Sequence, residues 1–231
     1  MPGTDIRIRS REGPEFDCYL AMPEGDGPTP AVVLASTILG VDGDLRGIAE
    51  AFASGGYIAA APDLFWRSVP GPLARGDPRS AERGTPRLEK IRTGERDLAD
   101  VRGALRMQGR FNGRAALIGF CYSGPYAILG PRRLGYDAGI ACHGSQMLEF
   151  IDALEGGERP VRFLWGDQDT MARAHVLDAY RAIAQRMKNV EVHVFPGVRH
   201  GYMMRGSTQA YDDRAYDFSM ECALGLLERL R

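Results

Sequence analysis

The chain has 231 residues, and its 29 basic against 30 acidic side chains leave a net charge of −1, which gives no electrostatic reason to expect nucleic acid or an anionic membrane as a partner. That length suits one α/β domain with a large core, residues 1–231 taken together. No apolar run approaches the ~20 residues of a membrane span, and Met1-Pro2-Gly3-Thr4-Asp5 lacks the charged-then-apolar layout of a signal peptide, so a soluble, cytoplasmic protein is expected. Among the cysteines, Cys18, Cys121, Cys142 and Cys222 form no CxxC pair and no metal-ligand spacing, which argues against a disulfide framework or a zinc site.

In chain order, Ile6-Arg7-Ile8 and Phe16-Asp17-Cys18-Tyr19-Leu20 alternate around Arg11-Glu12-Gly13-Pro14, which predicts an antiparallel pair at a sheet edge. Ala31-Val32-Val33-Leu34-Ala35 is a continuous apolar run of the kind found in a central strand covered on both faces. A loop over 36–43 leads into helical spacing at Leu45, Ile48, Ala49 and Phe52, ended by Gly55-Gly56. Tyr57-Ile58-Ala59-Ala60-Ala61 is the next buried strand. From there to about Pro86 the chain is rich in Pro, Gly and Arg, and a stretch of this length reads as a lid or binding loop.

A long amphipathic helix is predicted from about Leu88 to Gln108, with Ile91, Leu98, Val101 and Leu105 inward and Lys90, Arg92, Glu95 and Arg96 on the solvated face. Alternation then continues: strand 115–118, helix 124–130, strand 138–142, a short helix near 146–154, strand 161–165, helix 172–187, strand 190–195 and a closing helix over about 208–230. Strands alternating with helices specify a three-layer α/β sandwich, a mainly parallel twisted sheet with helices on both faces. In such sheets chemistry collects beyond the carboxyl ends of the strands.

Three stretches place reactive side chains there. Gly119-Phe120-Cys121-Tyr122-Ser123-Gly124 reads as a nucleophile elbow, a strand turning sharply into a helix with small residues relieving the crowding around its apex. The plainer alternative is a buried cysteine at an ordinary turn. Gly166-Asp167-Gln168-Asp169 puts a carboxylate past another strand, with Asp167 competing as a turn cap. Gly197-Val198-Arg199-His200-Gly201 puts an imidazole past the last. Nucleophile, acid, base is the chain order of α/β-hydrolase triads. The other histidines fit less well: His143 ends a strand but has no acidic neighbour, His175 lies on a helix and His193 within a strand. Neither GxGxxG between strand and helix nor GxxxxGK[ST] occurs, so nucleotide binding lacks support.

These motifs resemble the dienelactone hydrolase family, α/β-hydrolases that open an enol-lactone with a cysteine nucleophile. The likeness is carried by the Cys121 turn, the Asp169 and His200 loops, Ile38-Leu39-Gly40-Val41, and Ala61-Pro62-Asp63-Leu64-Phe65 followed by Pro70-Gly71. It implies a catalytic set of Cys121, Asp169 and His200, an oxyanion hole from the N–H groups of Ile38 and Tyr122, and no metal or organic cofactor. It also implies a substrate carboxylate held by Arg205 and by Arg79 or Arg83. The family has Gly where Ser123 stands, a small change, and keeps a glutamate where this chain has Thr37. Without that carboxylate Cys121 is expected to be more readily alkylated at neutral pH, unless Glu50 or Asp42 takes its place. Other readings are a thioesterase or general carboxylesterase on the same site, or a non-catalytic redox-active or binding homologue.

Overall fold

The computed structural model describes residues 2–171 and 174–231. Strands β1 (Thr4–Arg9) and β2 (Glu15–Ala21) pair antiparallel, and β2 continues antiparallel onto β4 (Ile58–Pro62). Beyond β4 every pairing is parallel, through β3 (Thr29–Ala35), β5 (Phe111–Phe120), β6 (Ala138–Cys142), β7 (Val161–Gly166) and β8 (Val190–Phe195). The spatial order is β1-β2-β4-β3-β5-β6-β7-β8, which leaves β1 and β8 at the edges. After β3 the chain moves one way to β4 and then returns to the other side of β3 as β5. The crevice beyond the carboxyl ends of β3 and β5 is therefore the topological switch point.

Helices cover both faces, as the alternation predicts. On one face α3 (Arg87–Leu105), α4 (Tyr126–Arg133) and α5 (Ala174–Arg186) bury Leu98, Val101, Ile128 and Tyr180 against Val33, Leu117 and Phe163. On the other, α1 (Gly43–Ser54) and α6 (Asp213–Glu228) bury Leu45, Phe52, Ala223 and Leu227 against Val32, Leu34 and Ile118. The alternate residues of β3 divide between these two cores, which explains why that strand reads as unbroken apolar sequence. No helix is long and apolar enough to cross a membrane among the described residues.

Several boundaries differ from expectation. The helix predicted near 146–154 is a 3-10 segment, Leu148–Leu154. The closing helix begins at Asp213 rather than near 208, because the Asp212 carboxylate accepts the Ala215 N–H at 2.9 Å and fixes the N-cap there, while residues 201–211 are used in turns. β5 starts at Phe111, earlier than predicted. Of the helix predicted over 172–187, the first two residues lie outside the described residues. The stretch expected to be a lid or binding loop is largely exposed, carries one short helix, α2 (Ser80–Gly84), and is anchored at a few buried residues. Buried Asp63 pins it by accepting N–H groups of Phe65 and Gly71 at 3.0 and 2.7 Å, and Leu73 N–H reaches Leu39 O at 2.8 Å.

Candidate active site

Cys121 follows β5 directly and adopts φ 49°, a left-handed conformation that a non-glycine residue takes only when its surroundings enforce it. Those surroundings are packed too closely for larger neighbours. A Cβ on Gly119 would collide with Ser123 O, and one on Gly124 would lie 2.6 Å from both Gly144 Cα and the Met147 sulfur. The Cys121 carbonyl accepts N–H bonds from Gly124 at 3.1 Å and Ser145 at 2.8 Å, so the turn is tied to the loop after β6. The side chain is half-buried at the head of the sheet. This is the local geometry of a nucleophile elbow.

The loops after β7 and β8 are held as a pair by main-chain bonds. Asp167 N–H donates to Phe195 O and Gln168 N–H to Val198 O, both at 3.0 Å. Asp167 is spent on this junction, its Oδ1 accepting the Gly197 N–H at 2.7 Å. Asp169, fully buried in its side chain, faces inward and meets His200 Nδ1 through Oδ2 at 2.8 Å. The Cys121 side chain lies close enough for its charge to act on His200 as well. Burial alone would push the His200 imidazolium down. The bond to Asp169, then the influence of Cys121, outweigh this and hold it up to about 10. Asp169 and His200 are thus joined, with Cys121 on the other side of the imidazole.

Residues 16–230 match the dienelactone hydrolase family. The chain belongs to that family. It is 28% identical over 238 residues to carboxymethylenebutenolidase 1 of Cupriavidus pinatubonensis, covering 100% of this chain and 99% of the relative. To the carboxymethylenebutenolidase of Pseudomonas putida it is 26% identical over 230 residues, covering 98% and 96% of the two chains. Its fold is that of a dienelactone hydrolase-like promiscuous phosphotriesterase from metagenomic libraries, with TM-score 0.79 at 19% identity over 100% and 99% of the chains. An esterase of Pyrococcus furiosus gives TM-score 0.72 at 15% identity, covering 98% and 92%. The chain is a dienelactone hydrolase-like hydrolase.

Two N–H groups flank the switch point. Ile38 lies in the loop after β3 and Tyr122 immediately after Cys121, and neither N–H has an acceptor among the described residues. Thr37, in the position of the family's glutamate, is buried and its hydroxyl accepts the Leu39 N–H at 3.2 Å. Glu50 and Asp42 are both engaged elsewhere: Glu50 bonds the Tyr19 hydroxyl, and Asp42 caps α1 by accepting the Leu45 N–H at 3.0 Å. Ser123, where the family has Gly, is fully buried with a hydroxyl that finds no partner, so the change is less innocuous than size alone implies.

The arginines fall in different places. Arg79 is exposed and paired with Asp77 at 2.7 Å. Arg83 is completely buried and bonded to main-chain carbonyls. Arg205 is spread over the rings of Tyr211 and Tyr216, 5.4 and 4.9 Å from their centres, with no ion pair among the described residues. The guanidinium beside the elbow is Arg87, which donates to Tyr122 O at 2.9 Å and Ser145 O at 2.7 Å. Nothing local in the sequence marks it, since both partners are far away in the chain.

His143 occupies an unexpected place. It has φ 40°, no solvent exposure and no hydrogen-bond partner on either ring nitrogen. Its ring stands edge-to-face against His200 at 5.0 Å and against Tyr202 at 5.2 Å. Burial, followed by the charge on His200, pushes its imidazolium well below the ordinary value, so it remains neutral behind the histidine that carries charge. Of the other two, His175 lies on α5, and His193 stacks on Phe218 at 4.1 Å.

Proposed function

We propose that the protein hydrolyses a carboxylic ester or an enol-lactone through an acyl-enzyme on Cys121, with His200 as general acid and base and Asp169 as its orienting carboxylate. The observation that carries this reading is the grouping of a half-exposed cysteine on a strained turn with an imidazole whose Nδ1 is held by a buried carboxylate. With His200 protonated, the sulfur attacks as a thiolate and the substrate carbonyl becomes a tetrahedral oxyanion facing the N–H groups of Ile38 and Tyr122. Collapse breaks the bond to the leaving oxygen, which takes the proton from His200 and leaves a thioester. His200, now neutral, accepts a proton from water as that water attacks, and collapse expels the sulfur as a thiolate, releasing the acid and restoring the starting thiolate–imidazolium pair.

A carboxylate on the substrate is the finer part of the proposal. Arg205 supports it, since its guanidinium is engaged by aromatic faces rather than by an acid, and a planar fork over tyrosines still has N–H groups to offer. A panel of lactone, aryl ester and thioester substrates, each with and without a free carboxylate, tests both levels. Cys121→Ala should abolish turnover of all of them, and Arg205→Met should raise KM for the anionic members alone. Turnover that survives Cys121→Ala would overturn the mechanism, and equal effects of Arg205→Met on neutral and anionic esters would overturn the carboxylate.

A further inference from the structure

Two guanidinium groups, Arg83 from α2 and Arg87 from the first position of α3, grip main-chain carbonyls at the active site. Arg83 donates from Nη1 to Ile38 O at 2.9 Å, from Nε to Val69 O at 2.8 Å and from Nη2 to Val69 O at 2.6 Å and to Gly71 O. Arg87 donates from Nη2 to Tyr122 O and Ser145 O. Each also lies on an aromatic ring, Arg83 at 4.7 Å from the centre of Phe65 and Arg87 at 4.4 Å from that of Tyr122. Phe65 and Tyr122 are themselves 5.4 Å apart. A continuous chain of contacts, Arg83-Phe65-Tyr122-Arg87, therefore runs from the loop after β3 to the turn after β5.

The two carbonyls gripped at its ends belong to Ile38 and Tyr122, the residues whose free N–H groups flank the crevice. The backbone has made room for this. Gly40 has φ 83°, and a Cβ there would lie 2.9 Å from Arg83 Nη1. Nor does Arg83 resemble a ligand-binding arginine, because its Nε and both terminal nitrogens are already committed to carbonyls. Neutral acceptors satisfy a guanidinium's hydrogen bonds without cancelling its charge, so this arrangement fixes two irregular turns and leaves positive potential where an oxyanion develops.

We propose that Arg83 and Arg87 are positioning residues that hold the oxyanion-binding N–H groups of Ile38 and Tyr122 in place from behind, a role that rests on the mechanism given above. A donor displaced by a fraction of an ångström serves the transition state poorly while substrate binding is little changed.

The test compares Arg87→Met, Arg87→Lys and Arg83→Lys with the wild type. Substrates are 4-nitrophenyl acetate and the anionic half-ester mono-4-nitrophenyl glutarate, and iodoacetamide alkylation of Cys121 is followed in parallel. Arg87→Met should lower kcat by about 10- to 100-fold on both esters, with KM within about threefold of wild type. The kcat loss should exceed any loss in alkylation rate by about tenfold, because alkylation builds no oxyanion. Arg83→Lys should lower kcat likewise, since one ammonium cannot span the carbonyls of Ile38, Val69 and Gly71. Arg87→Lys should recover part of the loss, and it carries the same comparison if Arg87→Met fails to fold. An increase in KM confined to the half-ester would overturn the proposal in favour of substrate binding, and unchanged kcat on both esters would overturn it outright. Failure of the underlying mechanism looks different: Cys121→Ala would then keep its turnover.

Discussion

Replacing Asp169 with Asn removes the charge that sustains the His200 imidazolium while leaving an oxygen of nearly the same shape in place. The carboxylate is fully buried and 2.8 Å from Nδ1, so solvent and salt screen it little. A hydrogen bond to a charged group contributes about 1.5–3 kcal/mol net, which corresponds to a loss of roughly 10- to 150-fold in kcat/KM if the bond acts fully in the transition state. The pH profile should move as well. Asp169 is the strongest influence holding His200 up to about 10 against its burial, so the alkaline limb of kcat/KM in Asp169→Asn should retreat towards the ordinary histidine range near 6.5. Stability follows with a definite sign. Because the folded value is raised, the contribution of His200 is complete below about pH 6.5 and is lost as pH rises through about 10. Asp169→Asn should thus cost more in Tm at pH 6 than at pH 10. Steady-state rates on 4-nitrophenyl acetate across this range, with Asp167→Asn as the companion, decide the matter. An unmoved alkaline limb would refute the reasoning, and an inactive Asp167→Asn beside an active Asp169→Asn would show that the wrong carboxylate had been chosen.

Three other outcomes are expected. Ser123→Ala removes a buried hydroxyl with no partner and should stabilise the fold by about 1 kcal/mol, a rise in Tm of roughly 2–4 °C at this chain length; a lower Tm would mean that the hydroxyl has a partner in solution. His143 is held neutral in the folded state, so its contribution is present above about pH 6.5 and falls away below it; His143→Phe should flatten the acid side of the stability curve, and parallel Tm profiles for the two proteins between pH 7 and 5 would refute this. Thr37→Glu brings a carboxylate to the family's position while Glu50 and Asp42 stay engaged elsewhere, so alkylation of Cys121 should require a higher pH than in the wild type, and coincident rate-against-pH curves would sink the idea.

What could be read from the sequence was whatever the chain encodes locally. The apolar run at 31–35, the elbow around Cys121 and the turns carrying Asp169 and His200 each announce themselves within a few residues, and right-handed crossovers then bring the strand ends to one side of the sheet. The choice between Asp167 and Asp169 was open on spacing alone. It turns on a cap at Gly197 that exists only once β7 and β8 lie side by side. The closing helix shows the same limit on a smaller scale, since helical spacing continues back over residues 208–211 and only the Asp212 cap stops it.

The side chains that the sequence did not mark are those whose meaning depends on strand order. In sequence, His143 has no acid near it. Its actual neighbour is His200, met because β6 lies between β5 and β7 and its carboxyl end opens directly beneath the histidine loop. For the arginines, the family resemblance points to a substrate carboxylate, which suits a guanidinium. Irregular turns at a switch point present a competing demand, because their carbonyls have no ladder to pair with and burial makes leaving them unpaired costly. Arg83 and Arg87 answer that demand across 45 and 35 residues of chain, which no local pattern could reveal. An arginine near an active site therefore has two possible acceptors, the substrate and the loops that shape its pocket. Which one it serves is decided by whether its donors are already filled in the free protein: every nitrogen of Arg83 is filled, whereas Arg205 is engaged by tyrosine rings rather than by an anion.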